Sequence, residues 1–288
     1  MNRKHKILGV DLGGTNIRTG MVEGEEITDL QVTSTPAEEP QEVVLEVLAE
    51  VISRFDLSRV EAIGIGVPSV VDVEKGIVYH VTNIKSWIVV PLKSWLEERF
   101  GVPVFVNNDA NCFAAGEKYF GKAKNAADVA AIATGTGLGA GLIVRNKLYE
   151  GKNCGAGEIG NLPYLEHTYE YYCSGQFFKD EHDTYGKKLA AEAWKGDQKA
   201  IGIFRDFGRH FGKFLQAVLY AYDPEMIILG GSVSKSYDLF KDSMFHALYD
   251  GFVFPGSLKN LRIDVSSVDH IGIYGAASLY YDKMSGVF

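Results

Sequence analysis

The amino-acid sequence predicts an α/β fold, and three observations support that prediction. Short apolar runs typical of strands alternate with segments of helical periodicity through most of the 288 residues, as in proteins whose helices cover a largely parallel sheet. Two of the strand-like runs, far apart in the chain, end in similar glycine-rich turns. No Pro-, Gly- or Ser-rich linker interrupts the sequence, so a domain boundary is expected at a hinge rather than in a flexible tether.

Each predicted element follows from its local pattern. Short, mainly apolar runs bounded by Gly, Asn or Asp indicate strands, and these are Ile7–Val10, Ile17–Val22, Ala62–Val67, Val104–Val106, Val129–Ala133, Ala140–Val144 and Met226–Leu229. Longer segments with apolar residues three and four positions apart indicate helices, and these are Glu42–Arg54, Leu92–Phe100, Ala110–Phe120, Phe204–Tyr222 and Ala276–Tyr281.

Composition and charge exclude several classes of protein. The chain is 46% hydrophobic and 23% charged, with a net charge of −8 and a pI near 5.4, so it offers no general basic field for nucleic acid or anionic membranes. No uncharged apolar run of about 18 residues predicts a membrane span. The basic N-terminus, MNRKHK, precedes an apolar run too short for a signal peptide. A cytoplasmic protein with three reduced, buried cysteines is expected, because Cys112, Cys154 and Cys173 are too widely spaced for a metal knuckle.

The stretch ILGVDLGGTNIRTGMV places an acid before a turn rather than within it. Asp11 ends the apolar strand, and Gly13 and Gly14 remove Cβ atoms where a ligand or another segment must approach the backbone closely. An alignment with ATGTGLGAGLIVRNKLY matches Asp11 to Thr134 and Gly14 to Gly137. Both segments read as strand, glycine-rich turn, strand, charged turn and third strand, which indicates a duplicated fold with one anion-binding turn in each half. A chance similarity between two glycine-rich hairpins is the alternative.

The second turn, IATGTGLGAGLIV, matches neither the dinucleotide fingerprint nor the Walker A loop, because Ala140 stands where the former needs glycine and no G-K-[ST] follows. Its exposed N–H groups and the hydroxyls of Thr134 and Thr136 can serve as donors to a chain of phosphates. A tight turn that simply requires glycine is the alternative interpretation.

Polar side chains also follow a strand in VNNDANCFAAGEKYFG. Asn107, Asn108 and Asp109 come after the apolar VFV, and a helix then begins. Asn108 or Asp109 as a plain N-cap is the alternative, but several amides and a carboxylate at the end of a strand exceed what capping needs. Open α/β sheets bind their ligands at this edge, so a binding site is predicted here.

Two further segments are candidates for ligand contacts. In CGAGEIGNLPY, Glu158 stands among small residues with Asn161 three positions later, an arrangement that suits either a solvated carboxylate or one that accepts sugar hydroxyls. In PEMIILGGSVS, a buried strand is followed by Gly230 and Gly231 and by the start of a helix. This pair suits a flat ring lying against the backbone, or ordinary packing of a strand on a helix.

In this order, DLGGTNIR, NNDANCFAAGE, ATGTGLGAG, GEIG and ILGGSVS resemble the ROK family of sugar kinases, open reading frames and repressors. The resemblance runs from about residue 6 to the C-terminal GIYGAASL. It implies an actin-like, ribonuclease H-like fold of two α/β lobes with substrates in the cleft between them. The expected lobes are 1–107 with about 271–288, and 108–270, the latter with the second phosphate turn and the adenine side.

The resemblance also implies a role for each motif. Asp11 would face the magnesium of ATP, through water, and the remaining nucleotide contacts would come from Gly13, Gly14, Thr15, Thr134, Gly135, Thr136, Gly137, Gly230 and Gly231. Asn83, in the segment TNIKSW that ends in Trp87, resembles the sugar loop of the family. The other sugar-binding positions match Asn108, Asp109, Glu158, Asn161 and Glu170, with Glu170 four residues before Ser174-Gly175.

The chain departs from the family at the zinc site. Many members hold zinc with a histidine after GE-x-G and a cysteine-rich segment, whereas here Asn161 takes the histidine position and Thr168 the last cysteine position. We therefore predict no zinc, and the specificity at the anomeric side of the sugar becomes open, because that histidine also contacts the sugar in the family. The repressor branch carries an N-terminal helix-turn-helix, for which the early first strand leaves no room, so DNA binding is not expected.

The predicted function is ATP-dependent phosphorylation of a hexose at its 6-hydroxyl by a glucokinase-like, cytoplasmic transferase of carbohydrate metabolism, with Asp109 as the general base. A homodimer that binds sugar, ATP and Mg²⁺ is expected. The alternatives are a kinase for N-acetylglucosamine, N-acetylmannosamine, fructose, mannose or allose, a non-catalytic sugar sensor, and a structural or chaperone ATPase of the actin-like superfamily.

Overall fold

A computed structural model describes residues 5–285, and in it strands and helices alternate through most of the chain. The strands are β1 (Lys6–Leu12), β2 (Asn16–Glu23), β3 (Glu26–Ser34), β4 (Ala62–Val67), β5 (Val70–Asp72), β6 (Ile77–Tyr79), β7 (Val89–Val90), β8 (Val104–Asn108), β9 (Val129–Thr134), β10 (Leu138–Val144), β11 (Lys147–Leu148), β12 (Pro163–Tyr164), β13 (His167–Thr168), β14 (Met226–Gly230) and β15 (Arg262–Val265). The helices are α1 (Gln41–Ser53), α2 (Leu92–Phe100), α3 (Asp109–Tyr119), α4 (Tyr169–Cys173), α5 (Gly186–Ala193), α6 (Gln198–Tyr222), α7 (Tyr237–Tyr249) and α8 (Ile271–Met284). The sequence predicted no signal peptide at the N-terminal MNRKHK, and most of that stretch lies outside the described residues.

The chain forms two units, of which the first comprises Met1–Asn125, Lys147–Ala156 and Val268–Phe288. Its main sheet has the order β3-β2-β1-β4-β8, in which β1, β4 and β8 are parallel and β1, β2 and β3 are antiparallel. Every residue of β4 is buried, as its continuous apolar sequence predicts. Helix α8 packs directly on β1 and β4, because Gly9 and Gly64 present no Cβ to the helix backbone.

Helix α3 belongs to this first unit, so the unit boundary lies at 125/126 rather than at the expected 107/108. The physical reason is its packing against α8. A Cβ at Gly116 of α3 would lie 3.1 Å from the Cα of Gly275 in α8, so the two helices approach each other through small residues. The C-terminal return to the first unit begins at Val268, close to the expected position 271.

The second unit comprises Ala126–Asn146 and Gly157–Ser267. Its strands follow the order β10-β9-β14-β15, with β9 and β10 antiparallel and β9, β14 and β15 parallel. This order repeats β2-β1-β4-β8 of the first unit, so the duplicated arrangement inferred from the two glycine turns is present. Helices α6 and α7 pack together around a buried set of aromatic side chains, which are Phe178, Phe204, Phe207, Phe211, Phe214 and Phe240.

The structure contains every predicted strand and helix and adds others. β4 and α2 coincide with the predicted bounds, and α6 begins six residues earlier than predicted, at Gln198. The third strand expected after the charged turn is β3, an edge strand of exposed and half-exposed residues whose bounds the sequence did not give. Within residues 5–285 no helix has both the length and the apolarity that crossing a bilayer demands.

Candidate active site

The first glycine turn joins β1 to β2 and is held in place by a neighbouring threonine. Within the turn, the Gly13 N–H donates to the carbonyl of Asn16 at 3.0 Å. The hydroxyl of Thr35 donates to the carbonyl of Gly13 at 2.7 Å. Both carbonyls are thereby engaged, and Thr15 at the tip of the turn is exposed. The turn is a fixed loop whose exposed edge consists of backbone and one hydroxyl.

Asp11 lies at the end of β1 in a partly desolvated position. Burial raises the pKa of its carboxyl, and the positive charge and hydrogen bond of Arg18 oppose that rise. The Arg18 Nη1 atom lies 3.3 Å from Asp11 Oδ2. On its other side the carboxylate abuts the start of α8, where a Cβ at Gly272 would lie 2.7 Å from the Asp11 Cγ atom. The absence of a side chain at Gly272 leaves this space to the carboxylate.

The predicted sugar loop contacts the first glycine turn. A Cβ at Gly14 would collide with the side chain of Asn83, so the two segments pack at the distance that only glycine permits. Trp87 anchors the loop, since its side chain is fully buried and its carbonyl accepts from the N–H of Val81 at 3.0 Å. Asn83 itself remains exposed. A predicted phosphate contact and a predicted sugar contact are therefore neighbours in the first unit.

At the end of β8, Asn108 is the N-cap of α3. Its Oδ1 atom accepts from the N–H of Ala110 at 2.8 Å and from that of Asn111 at 3.4 Å, and its Nδ2 atom donates to the carbonyl of Ser69 at 3.2 Å. Asp109 is the first residue of the helix and is exposed. From the sequence, either of these two residues could cap the helix, and in the structure the cap is Asn108.

Asp11 and Asp109 lie at the same edge of the first sheet. Gly66 of β4 pairs with Asp11 of β1 on one side and with Asn107 of β8 on the other. The buried thiol of Cys112 lies close enough to both acids for their charges to affect it. Burial raises the pKa of this thiol well above its ordinary value, and the charges of Asp109 and Asp11 raise it further. Parallel strands thus bring the two carboxylates to the edge where open α/β sheets bind ligands.

In the second unit, the turn from Thr134 to Gly137 is closed by its own backbone. The Gly135 N–H donates to the carbonyl of Gly137 at 2.9 Å, and the Gly175 N–H donates to that of Gly135 at 2.7 Å. The buried Thr134 hydroxyl donates to the Cys173 carbonyl at 2.8 Å, so it is engaged within the protein rather than directed outward as the sequence suggested. Thr136 is the exposed hydroxyl of this turn.

A cavity of about 210 Å³ adjoins the second turn. Gly231 has a φ of +87° and lies against the backbone of Thr134, while Gly230 is buried at the end of β14. The cavity is lined by Gly135, Thr136, Gly175, Phe178, Tyr185, Gly186, Lys187, Phe204, Ser232, Val233 and Ser236. Aromatic rings and backbone on its walls suit a flat, partly apolar ring beside a chain of phosphates.

The two predicted sugar glutamates interact within the second unit. Glu158 accepts from Asn161 Nδ2 at 2.8 Å, and its pKa is raised by burial, with a smaller contribution from the charge of Glu170. Glu170 accepts from the N–H of Leu138 at 2.9 Å and from Gln176 Nε2 at 3.2 Å. Glu170 therefore lies directly against the second glycine turn.

Aromatic stacking occupies the segment that the family resemblance matches to a zinc site. Tyr164 stacks on Tyr169 with ring centroids 4.4 Å apart, and its hydroxyl lies 3.2 Å from His210 Nδ1. His167 stacks on Tyr171 at 3.9 Å. Over residues 5–285, no three His, Cys, Asp or Glu side chains are grouped so that they could hold a metal ion. Ring packing thus supports the segment that leads to Glu170.

Purified protein should contain no stoichiometric zinc, because Asn161 and Thr168 replace two of the ligands that a tetrahedral N/S site needs. Elemental analysis of dialysed protein is the measurement. The same protein dialysed after incubation with excess zinc is the control, and it should also return to background. About one retained zinc per chain would contradict the prediction and require other ligands.

The structure also reveals site residues that the sequence did not indicate. Thr35 fixes the first turn from 22 residues away in the chain, and Gln176 holds Glu170. Glu150 bonds to Asn107, directly before the predicted site residues Asn108 and Asp109. These residues belong to no recognisable motif, and only the folded chain brings them to the site.

Comparison with known proteins identifies the family. A glucokinase from Thermotoga maritima is 29% identical over 98% of this chain and 99% of its own length, and a xylose repressor from Bacillus spizizenii is 30% identical over 82% of this chain and 67% of its own length. The crystal structure of a ROK family glucokinase from Streptomyces griseus, in complex with glucose and AMPPNP, matches with a TM-score of 0.80 at 29% identity, over 95% of this chain and 98% of that one. The predicted fold class, α/β with two lobes of the actin-like ATPase and ribonuclease H-like type, is thereby confirmed. The sequence model of the ROK family matches residues 7–283, and the chain belongs to the ROK family.

Proposed function

We propose that the protein is a sugar kinase that transfers the γ-phosphoryl group of ATP to the 6-hydroxyl of a hexose, with glucose as the first candidate. The observation that carries the proposal is the shared sheet edge of Asp11 and Asp109, with Asn83 packed against Gly14. A phosphoryl transfer needs a phosphate site, a hydroxyl site and a proton acceptor in one neighbourhood. The glucokinase names of the relatives support the same activity.

Asp109 is the proposed general base. It would orient the 6-hydroxyl and accept its proton as the new bond to phosphorus forms. Its position in the first turn of α3 favours the ionised carboxylate, because the N-terminal end of a helix stabilises negative charge. Asn108 and Asn83 would bind neighbouring hydroxyls of the sugar. The cap that Asn108 provides to α3 keeps its side chain and the helix start in one fixed orientation.

Asp11 is the proposed magnesium residue, acting through water. Its carboxylate, at the end of β1 and next to a turn without Cβ atoms at Gly13 and Gly14, fits a hydrated Mg²⁺ on a chain of phosphates. The bound ion would neutralise charge on the transferred group. The exposed Thr15 and Thr136 hydroxyls and the N–H groups of the two turns would contact the phosphates. Gly230 and Gly231 would lie on the adenine side.

The proposed sugar contacts of the second unit are Glu158, Asn161 and Glu170. The charge of Glu170 contributes to the raised pKa of Glu158, and two neighbouring carboxylates are suited to accept several hydroxyl donors. Asn161 adds an amide at the position where the family resemblance implies a histidine. The sugars that remain open are N-acetylglucosamine, N-acetylmannosamine, fructose, mannose and allose.

An ADP-release assay over a panel of hexoses and N-acetylhexosamines tests the proposal. We expect sugar-dependent ADP release that needs Mg²⁺ and stops when a chelator is added, with the melting temperature unchanged by the chelator. Reaction of glucose blocked at position 6 should give no product, which tests the position of transfer. ADP release at a rate that does not depend on any of the sugars would contradict the kinase proposal and favour an ATPase.

A sugar sensor without turnover is the second candidate, and the similarity to a xylose repressor favours it. Saturable sugar binding without any ADP release would support the sensor. The presence of Asp11 and Asp109 at one sheet edge favours the kinase instead, because sugar binding alone requires no magnesium carboxylate.

A further inference from the structure

Glu150 is joined to the proposed catalytic turn by a partly buried hydrogen bond. Its Oε1 atom accepts from Asn107 Nδ2 at 2.5 Å. Asn107 is the residue before the helix cap Asn108, and it is 1% exposed. Glu150 is half-buried beside a cavity of about 470 Å³, and burial raises the pKa of its carboxyl. No sequence motif contains it.

The side chain of Asn107 also forms hydrogen bonds with the start of α3. Its Oδ1 atom accepts from the N–H of Asn108 at 2.8 Å and from Asn111 Nδ2 at 2.9 Å. The thiol of Cys154 lies 3.4 Å from the same oxygen. An amide has two different ends, and the end that faces a carboxylate must be the NH₂ group, because a carboxylate only accepts. Glu150 therefore dictates that the Asn107 oxygen faces the turn.

The segment that carries Glu150 is itself fixed. The Leu148 N–H donates to Asp282 Oδ1 at 3.1 Å, and Lys147 Nζ donates to the Asp282 carbonyl at 2.8 Å. On the other side of the segment, the backbone carbonyl of Glu150 accepts from the N–H of Ala156 at 3.1 Å. Glu150 thus acts from a segment attached to α8, and α8 also packs on α3.

We propose that Glu150 is a positioning residue for the turn that carries Asn108 and Asp109, acting through the side chain of Asn107. This inference rests on the proposed sugar kinase function. A hydrogen bond to a charged, partly buried acceptor is among the stronger ones in proteins. Its loss lets the Asn107 amide rotate and removes the oxygen that holds the Asn108 N–H. Small displacements of a positioned group reduce catalysis by up to about 10²-fold.

The first test is Glu150→Ala. We expect kcat/KM for the best sugar to fall by about 10- to 100-fold, while affinity for a nucleotide analogue changes less than about twofold, since the Glu150 side chain bonds to Asn107 and, among the described residues, to none of either glycine turn. Glu150→Gln should stay within about threefold of the unaltered protein, because its amide oxygen still accepts from Asn107. Glu74→Ala is the matched control, since Glu74 lines the same cavity, and it should leave kcat/KM unchanged.

An exchange of donor and acceptor tests the same contact if the alanine variant fails to fold. Asn107→Asp places two acceptors opposite each other and should reduce kcat/KM by at least about 10-fold. Adding Glu150→Gln supplies an NH₂ donor and should recover most of that loss. A double variant no better than Asn107→Asp alone would overturn the inference.

Hydrogen exchange separates this inference from the proposed function. Amides of 108–111 should exchange about 10-fold faster in Glu150→Ala than in the unaltered protein, whatever reaction the protein performs. If the unaltered protein phosphorylates no sugar, the kinase proposal fails while the exchange result still decides the role of Glu150. Glu150→Ala with unchanged exchange at 108–111 and unchanged kcat/KM would overturn it.

Discussion

Replacing Asp109 with asparagine should lower turnover on the best sugar by about 10²- to 10⁴-fold and leave the melting temperature close to that of the unaltered protein. Asparagine keeps the size of the side chain and removes the proton acceptor. The helix start should be preserved, because the cap of α3 is Asn108. Steady-state turnover, ATP affinity and a melting curve of the same variant are the measurements. Sugar affinity should fall only modestly.

Asp197→Ala serves as the control, because we expect it to lower stability and leave turnover unchanged, the reverse of Asp109→Asn. Asp197 caps α6 by accepting from the N–H of Ala200 at 2.8 Å, so its loss should cost about 1 kcal/mol of stability and leave turnover unchanged. An Asp109→Asn variant that melts normally and turns over at nearly the unaltered rate would remove Asp109 from the catalytic role.

Gly14→Ala should reduce kcat/KM by about 10²-fold and raise the KM for sugar. The new methyl group would occupy the space that the side chain of Asn83 fills, so either the glycine turn or the sugar loop must move. Both segments carry proposed substrate contacts, and overpacking of this kind costs about 1–3 kcal/mol. Kinetics with sugar and ATP varied separately, together with a melting curve, measure the effect.

The matched control is Gly155→Ala, because a Cβ at Gly155 meets no atom within 4 Å. That variant should retain both activity and stability. Unchanged KM for sugar in Gly14→Ala would mean that the contact with Asn83 has no part in substrate binding, and the proposed sugar loop would have to be reassigned.

The sequence could predict those features that are encoded locally. The two glycine turns and the polar end of β8 each lie within about a dozen consecutive residues, and a buried strand such as β4 is apolar throughout. The edge strand β3 could be predicted only as the third strand of the first glycine-turn motif, and its bounds could not, because its exposed side chains follow no buried face. A helix start was expected after Gly230 and Gly231, and α7 begins there at Tyr237, but its bounds were not predicted, although Phe240, Met244 and Leu248 recur at helical spacing.

The site was predictable to the same extent. Asn108 and Asp109 could be found from their position after a strand, but which of them caps α3 depends on side-chain orientation that only the structure provides. The Thr134 hydroxyl was expected to face phosphate, and a carbonyl 39 residues away accepts from it instead. Glu150 and Asn107 are 43 residues apart. Contacts at such separations depend on the tertiary fold and leave no local pattern.

The assignment of the α3 cap to Asn108 has a practical consequence for structural work. Because Asn108 caps α3, and an asparagine at position 109 can still accept from the Ala110 N–H as Asp109 Oδ1 does, Asp109→Asn is a suitable trap for crystallography. Its slower turnover would give more time to capture ATP and intact sugar together in crystals that are soaked and then flash-cooled. Such a ternary complex would give the identity of the sugar directly from electron density, without a prior guess about which compound the cell supplies.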